Sequence, residues 1–516
     1  MTDRENHPPT APQEPADRFN VALRELVQPS AWKNPTPADC YDLVVIGAGT
    51  AGLVAAAGAA GLGARVAIVE RHRMGGDCLN TGCVPSKTLL RSAQAAAELR
   101  RAAELGIHMP CGGIVDFPAV MERVRKVRAD IAPNDSAQRF AGLGVDVFLG
   151  AAAFADGRHV EVTGSRLRFR KAVIATGART VTPPIPGLAE AGPLTNETVF
   201  NLTEQPGRLA IIGGGPVGCE LAQAFQRLGS QVTLIHKNPR VLEREDADAS
   251  EVVQNALHRD GVRLSLGAEV VSVSQADGVK RLRLRTAGAE ETIEADAILV
   301  ATGRTPNVAS LNLEAAGVAW DSRDGVRVDD FLRTANPRIY ACGDVAMRWK
   351  FTHAADFAAR IVIQNALFAI GLLGRRRLST LNMAWCTYTE PELAHTGLTL
   401  AEAAKRGIEL DTFTQPFESV DRATTESESE GFVRIHVRRG SDKIIGATVV
   451  GKGAGDLISE ISTAMAGKIG LGRIASIIHP YPTRAEAIRK LGDQFNRRRL
   501  TPGIAKMLKL LMKLGR

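Results

Sequence analysis

Residues 42–70 read DLVVIGAGTAGLVAAAGAAGLGARVAIVE, and the order of their parts decides the fold. A run of buried-strand residues, Leu43 to Ile46, enters a glycine turn. An alanine-rich helix follows, and a second apolar strand, Arg65 to Val69, ends on the acid Glu70. Strand, helix and strand at this spacing predict a βαβ unit. Its glycines are Gly47, Gly49 and Gly52. The first permits a tight turn and the second lets backbone approach a pyrophosphate. The third lets the helix pack on its strand, while the helix N-terminus offers partial positive charge to phosphates. Glu70 stands where a carboxylate accepts both hydroxyls of a ribose.

The same grammar returns at 209–236, LAIIGGGPVGCELAQAFQRLGSQVTLIH, with Gly213, Gly215 and Gly218. Two such units predict two nucleotide sites in related α/β domains. The second unit ends in His236 and Lys237, with Arg240 nearby. Basic groups there accept a 2′-phosphate that an acid would repel, so NADPH is expected ahead of NADH. Two further segments echo each other, AVIATGAR at 172–179 and ILVATGRTPN at 298–307. Each is a buried strand running into Thr-Gly, which brings Thr176 and Gly177, and Gly303 and Arg304, close to a bound nucleotide. IYACGDV, 339–345, sets Gly343 and Asp344 at a third strand end. Asp344 there suits a helix N-cap or, in this company, a contact to a flavin chain. From about Asn382 short alternating strands such as GFVRIHVRR and KIIGATVVG mix with helices, an α+β pattern.

Between these landmarks lies GGDCLNTGCVPSK, 75–87, in which Cys78 and Cys83 follow Gly76 and precede Lys87. A zinc site would need a second close Cys/His pair, and none exists. A structural disulfide does not suit a cytosolic chain. Thiolate is the reactive form of cysteine, and a helix N-terminus with a nearby lysine favours it. Cys40, Cys111, Cys219, Cys342 and Cys386 lack such a setting and read as ordinary thiols.

The bulk numbers agree with a globular enzyme. A chain of 516 residues, 45% apolar and 23% charged, makes about two to four domains. No apolar run reaches the ~18 residues of a membrane helix, and MTDRENHPPTAPQEP is not a signal peptide, so a cytoplasmic protein is expected. The net charge of +8 is concentrated from Arg484 to Arg516, where ten Lys/Arg meet two Asp/Glu. Such charge belongs to a tail rather than a nucleic-acid groove. Residues 1–40, rich in proline and polar residues, are expected to be disordered apart from a short helix around RFNVALREL. On the final helix Ile504, Met507, Leu508, Leu511 and Leu514 share a face opposite Lys506, Lys509, Lys513 and Arg516. That helix either packs on protein or lies on an anionic membrane surface.

From about Tyr41 to about Arg499 the chain resembles the class I pyridine nucleotide–disulfide oxidoreductases. GAGTAG with Glu70 is similar to their FAD fingerprint, CLNTGCVPSK to their redox disulfide and GGGPVGCE to their pyridine-nucleotide fingerprint. ATGRTPN resembles their hinge and ACGDV their second FAD motif. The resemblance implies an α/β fold with two Rossmann-like domains and an α+β dimerisation domain. FAD binding would fall in 41–195 and 326–377, NAD(P) binding in 196–325, and the interface domain in 378–500, with a basic amphipathic helix at 501–516. It implies a homodimer in which Cys83 is the thiolate against the flavin and Cys78 exchanges with substrate. Lys87 would stand beside the flavin with Glu220 as its ion-pair partner.

Two departures matter. Disulfide-reducing members carry His-x-His-Pro-Thr-x-x-Glu, whereas this chain has HPYPTRAE, 479–486. His479 and Glu486 are kept, but Tyr481 takes the place of the acid/base histidine. A phenol with pKa near ~10 shuttles protons poorly at neutral pH, and mercuric reductase is similar in having a tyrosine there. Asp77 replaces a usual threonine, an anion that must be offset or turned away. Hg(II) is therefore the first expected acceptor, ahead of a quinone, a small disulfide or lipoamide. A redox-sensing scaffold without turnover would have no need of Cys78, Cys83, Lys87 and Glu220 together.

Overall fold

The computed structural model describes residues 14–108 and 114–514. These form two compact units. The first comprises the chain up to Gly213 with Ala224–Lys237 and Ala268–Leu381; the second comprises Gly214–Gln223, Asn238–Gly267 and the chain from Asn382 onward.

In the first unit the opening stretch folds as strand Tyr41–Ile46, helix Thr50–Gly61 and strand Val66–Glu70. Parallel pairing sets Ile46 opposite Val69. The parallel order across the sheet is Val145–Leu149, Val66–Glu70, Tyr41–Ile46, Ser165–Ile174, Ile339–Ala341. Val44, Val45, Ile68 and Val173 are fully shielded, as strands covered on both faces require. Ile174 pairs with both Ile46 and Ala341. The turns carrying Gly47, Thr176 and Gly343 therefore leave the sheet together, at its carboxyl end, where open α/β sheets bind ligands.

A second parallel sheet sets Arg208–Ile212 between Gln231–His236 and Ala297–Val300. Ile212 pairs with Ile235 and Val300, so Gly213 and the Thr302-Gly303 turn leave from the same end. The two echoing Thr-Gly segments meet directly: Ala178–Thr180 pairs antiparallel with Arg304–Pro306.

The amino-terminal expectation needs correction. Residues 14–40 are packed rather than disordered, and only residues 1–13 of that stretch, with Cys111 and Arg516 elsewhere, lie outside the described residues. The helix Arg18–Val27 is capped by Asp17, which accepts from the Phe19 and Asn20 amides. Leu23 and Val27 are fully buried, worth roughly 1.5–3 kcal/mol each. Asp17 pairs with Arg125, and Arg128 donates to Asn20 Oδ1 at 2.9 Å. The short helix expected around RFNVALREL is present; what the polar composition concealed is the set of tertiary contacts that anchors it.

In the second unit Ala384–Thr387, Glu392–Gly397, Ile444–Gly451, Phe432–Arg438 and Leu410–Pro416 form an antiparallel sheet in that order. Helices Ala454–Ala466 and Glu486–Arg498 pack on it, giving the expected α+β pattern with its own apolar core.

Candidate functional site

The crevice at the sheet's carboxyl end is built from backbone. Gly47 has φ +101°, and a Cβ there would stand 2.5 Å from the Ala175 carbonyl oxygen. A Cβ on Gly76 would stand 2.5 Å from the Gly49 Cα. The turn after the first strand and the loop before the cysteines are thus pressed backbone to backbone, a cradle that fits a dinucleotide pyrophosphate. Glu70 is fixed by the amides of Ala48 at 2.6 Å and His72 at 2.8 Å. Each of its oxygens keeps a lone pair for ribose hydroxyls. Thr176 donates through Oγ1 to the Asn307 carbonyl at 2.7 Å, and Asn307 Nδ2 returns a bond to the Thr176 carbonyl at 3.0 Å.

The cysteine loop is held from behind. Asn80 donates to the carbonyls of Met74 at 3.1 Å and Gly76 at 2.8 Å, and its own carbonyl accepts from Arg128 at 2.9 Å. Burial draws the Arg128 pKa down to about 10. The same guanidinium reaches Asn20, so the amino-terminal helix buttresses the loop. Cys83 opens the helix Cys83–Arg101, and its Sγ lies 3.2 Å from the Thr352 hydroxyl. Cys78 is half-buried and Cys83 exposed. The hydrogen bond with Cys83, then burial, push the Cys78 thiol strongly up. Lys87 lies one turn along the same helix. Elsewhere burial keeps Cys219 and Cys342 protonated, Cys342 pushed up to about 12.

Asp77 is offset. Arg304 pairs with it, stands 3.5 Å from Asp344, and donates to the Ala178 carbonyl at 2.8 Å. Asp344, whose carbonyl accepts from Lys350 at 2.8 Å, has its carboxyl pKa raised by burial, with Arg304 pulling the other way. Arg304 is thus committed to two carboxylates, a link that sequence reading missed because its members are 227 and 40 positions apart. Thr352, Lys350 and Asn307 were missed for the same reason.

In the second nucleotide unit, the Gly213 amide bonds the Ile235 carbonyl at 2.9 Å. A Cβ there would meet the Ala301 carbonyl oxygen at 2.4 Å. His236 is buried and Lys237 exposed. In the other unit Arg240 is pinned by the carbonyls of Glu243 at 3.0 Å and Glu245 at 3.2 Å. There too Glu220 is buried and accepts the Tyr388 amide at 2.9 Å.

The HPYPTRAE segment also lies in the second unit. Tyr481 is 70% exposed and donates to Asp421 Oδ2 at 2.7 Å. That bond, with Glu486 nearby, raises its pKa further. Glu486 is bridged to Arg489 at 3.2 Å and Lys490 at 3.6 Å. His479 is enclosed, Nδ1 within 2.9 Å of the Ile477 carbonyl and Nε2 within 2.9 Å of Glu460.

The family model described as pyridine nucleotide-disulphide oxidoreductase matches residues 41–359, and that for the family's dimerisation domain matches 383–491. The chain belongs to this family. Pyridine nucleotide-disulphide oxidoreductases use FAD and NAD(P)H, which the cradle fits. A mercuric reductase of Lysinibacillus sphaericus is 33% identical over 93% of this chain and 88% of its own. A dihydrolipoyl dehydrogenase of Chlamydia muridarum is 35% identical over 87% and 95%. Among solved structures, the HOCl-induced flavoprotein disulfide reductase RclA from Escherichia coli has a TM-score of 0.77 at 30% identity, covering 88% of this chain and 99% of that one. Its Cu(II) complex has a TM-score of 0.76 at 29% identity, covering 87% and 98%.

Proposed function

We propose that this pyridine nucleotide-disulphide oxidoreductase is a cytoplasmic homodimer that reduces a thiophilic metal ion, Hg(II) first, at the expense of NADPH. Gly47, Gly49, Gly52, Glu70, Gly76, Thr176, Gly177, Gly343 and Asp344 hold FAD, with Arg304 locking Asp77 away from the pyrophosphate. Gly213, Gly215, Gly218, Gly303, His236, Lys237 and Arg240 serve NADPH. FAD held there would supply two-electron transfer from the nicotinamide to the sulfurs, and Lys87 and Glu220 would be its charged neighbours. In the reduced pair the single proton stays on Cys78, and the negative charge settles on Cys83 at its helix N-terminus. The two sulfurs then take Hg(II) from its thiol carriers, and a second NADPH would supply the two electrons that reduce the bound ion, both S–Hg bonds breaking as the sulfurs return to thiol and thiolate: net, NADPH + Hg(II) gives NADP⁺ + H⁺ + Hg(0).

The observation that carries this reading is Tyr481. Asp421 and Glu486 keep its phenol protonated, and both nitrogens of His479 are engaged. A phenol held this way, and a histidine with both nitrogens engaged, would be poor donors to a leaving thiolate, which a disulfide substrate needs and a metal–thiolate does not. Mercuric reductases among the relatives and the Cu(II) complex of RclA support a metal acceptor. The test is NADPH oxidation with Hg(II)-bis-thiolate, lipoamide, glutathione disulfide and a quinone, side by side. Hg(II) should give the highest kcat/KM; a higher value with lipoamide would overturn the reading.

A further inference from the structure

The last helix, Pro502–Leu514, has no role in that redox chemistry. It opens on proline, and Thr501 Oγ1 accepts the Ile504 amide at 3.4 Å, a regular helix start. None of its residues is buried. Ile504, Met507, Leu508, Leu510, Leu511, Met512 and Leu514 are each at least 40% exposed. At about 100° per residue these seven and Ala505 fill one broad arc, and Lys506, Lys509 and Lys513 fill the remaining narrow one. Among the described residues none of the three lysines makes an ion pair.

The charge pattern selects what covers this face. No acid follows Asp493 in the sequence, while Arg497, Arg498 and Arg499 precede the helix. Two copies laid face to face would cover only a narrow seam of this arc and leave its apolar flanks in water. An apolar arc wider than a coiled-coil seam, with cations only on the other side, is the pattern of a helix lying in a lipid interface. We propose that Pro502–Leu514 seats this protein on an anionic bilayer, with its leucine and methionine side chains among the acyl chains and its lysines at the headgroup phosphates. The electron relay then works at a membrane surface.

A second apolar feature supplies the control. Ile370, Leu372 and Leu373 are 81%, 78% and 79% exposed. Of the three arginines that follow, two are occupied: Arg375 and Arg377 lie over the Phe331 ring and Arg377 stands 3.6 Å from Asp330.

The experiment is co-sedimentation of the FAD-loaded full chain with phosphatidylcholine vesicles, with or without about one-third phosphatidylglycerol. Four proteins are compared: wild type, Leu508→Glu/Leu511→Glu, Lys506→Gln/Lys509→Gln/Lys513→Gln, and Ile370→Ser/Leu372→Ser/Leu373→Ser. Flavin absorbance and light scattering verify folding and assembly in each. Wild type and the Ile370 triple variant should sediment with anionic vesicles. Both helix variants should lose binding at least tenfold, and wild-type binding should fall as salt shortens the screening length from about 10 Å to about 3 Å. Equal sedimentation of all four proteins, or none of wild type, overturns the proposal. So does loss of the dimer in the leucine variant, which would assign the face to a second copy of the chain.

Discussion

In the proposed function Cys83 carries the electrons and Tyr481 sets the kind of acceptor. Cys83→Ser should cut NADPH-driven metal reduction by at least about 10³-fold and abolish the long-wavelength absorbance that anaerobic NADPH develops in the wild type. Cys78→Ser should keep that absorbance while losing turnover, a distinction that stopped-flow spectra read directly. Tyr481→His restores a proton donor beside Glu486. It should raise lipoamide or glutathione disulfide reduction by at least about tenfold and leave Hg(II) reduction within a few-fold. Lys237→Glu puts an acid where a 2′-phosphate is expected, and should lower the NADPH-to-NADH ratio of kcat/KM by about 10–100-fold. Arg304→Ala strands Asp344, whose side chain is only 17% exposed, beside Asp77, which is 40% exposed. Solvent screening at Asp77 limits the expected cost to about 1–2 kcal/mol in chemical denaturation.

The antiparallel sheet of the second unit hides a titrating cluster. Trp385 donates to Glu245 at 2.7 Å and stacks at 4.6 Å on His395, which bonds Thr448 at 2.9 Å. His436 bonds Thr412 at 2.9 Å. Burial first, then neighbouring charge, draws His395 down to about 3 and His436 down to about 4. Burial pushes Glu245 up to about 7. The histidines' contribution is complete above their ordinary value of 6.5 and is lost as pH falls toward these lower values. The Glu245 contribution is complete below 4.5 and is lost as pH rises through about 7. Between those ordinary values, 6.5 and 4.5, two groups oppose one, so acidification should remove about 1.4 kcal/mol of stability per pH unit. Glu245→Gln keeps the Trp385 bond and removes the opposition, so urea midpoints should fall about twice as steeply. Nothing in the sequence announced this cluster, because Glu245, Trp385 and His395 meet only through tertiary packing. By contrast, the strand Tyr41–Ile46 and the helix after it were legible, since a glycine fingerprint is a local device. The helix Arg18–Val27 was half legible: its pattern was visible, but the Asp17–Arg125 and Asn20–Arg128 links that anchor it were not.

Across the whole chain, the match to a dimerisation domain supports a homodimer, and light scattering should return twice the 55.0 kDa chain mass. The family was legible because its motifs recur in order over most of the chain, each short and each tied to backbone geometry. The proposed acceptor rests on what surrounds Tyr481 and His479, and there the carboxylates of Asp421 and Glu460 became visible only in the fold. In the proposed function electrons from NADPH reach a metal ion bound by the Cys78–Cys83 pair. The most direct test is a single turnover: enzyme mixed anaerobically with two equivalents of NADPH, one to open the disulfide and one to reduce the metal, then with one equivalent of Hg(II)-bis-thiolate, and assayed for mercury vapour. Wild type should release close to one equivalent of Hg(0), and Cys78→Ser and Cys83→Ser almost none. Retention of Hg(II) by reduced wild-type enzyme without vapour, or equal release from both variants, would contradict the account.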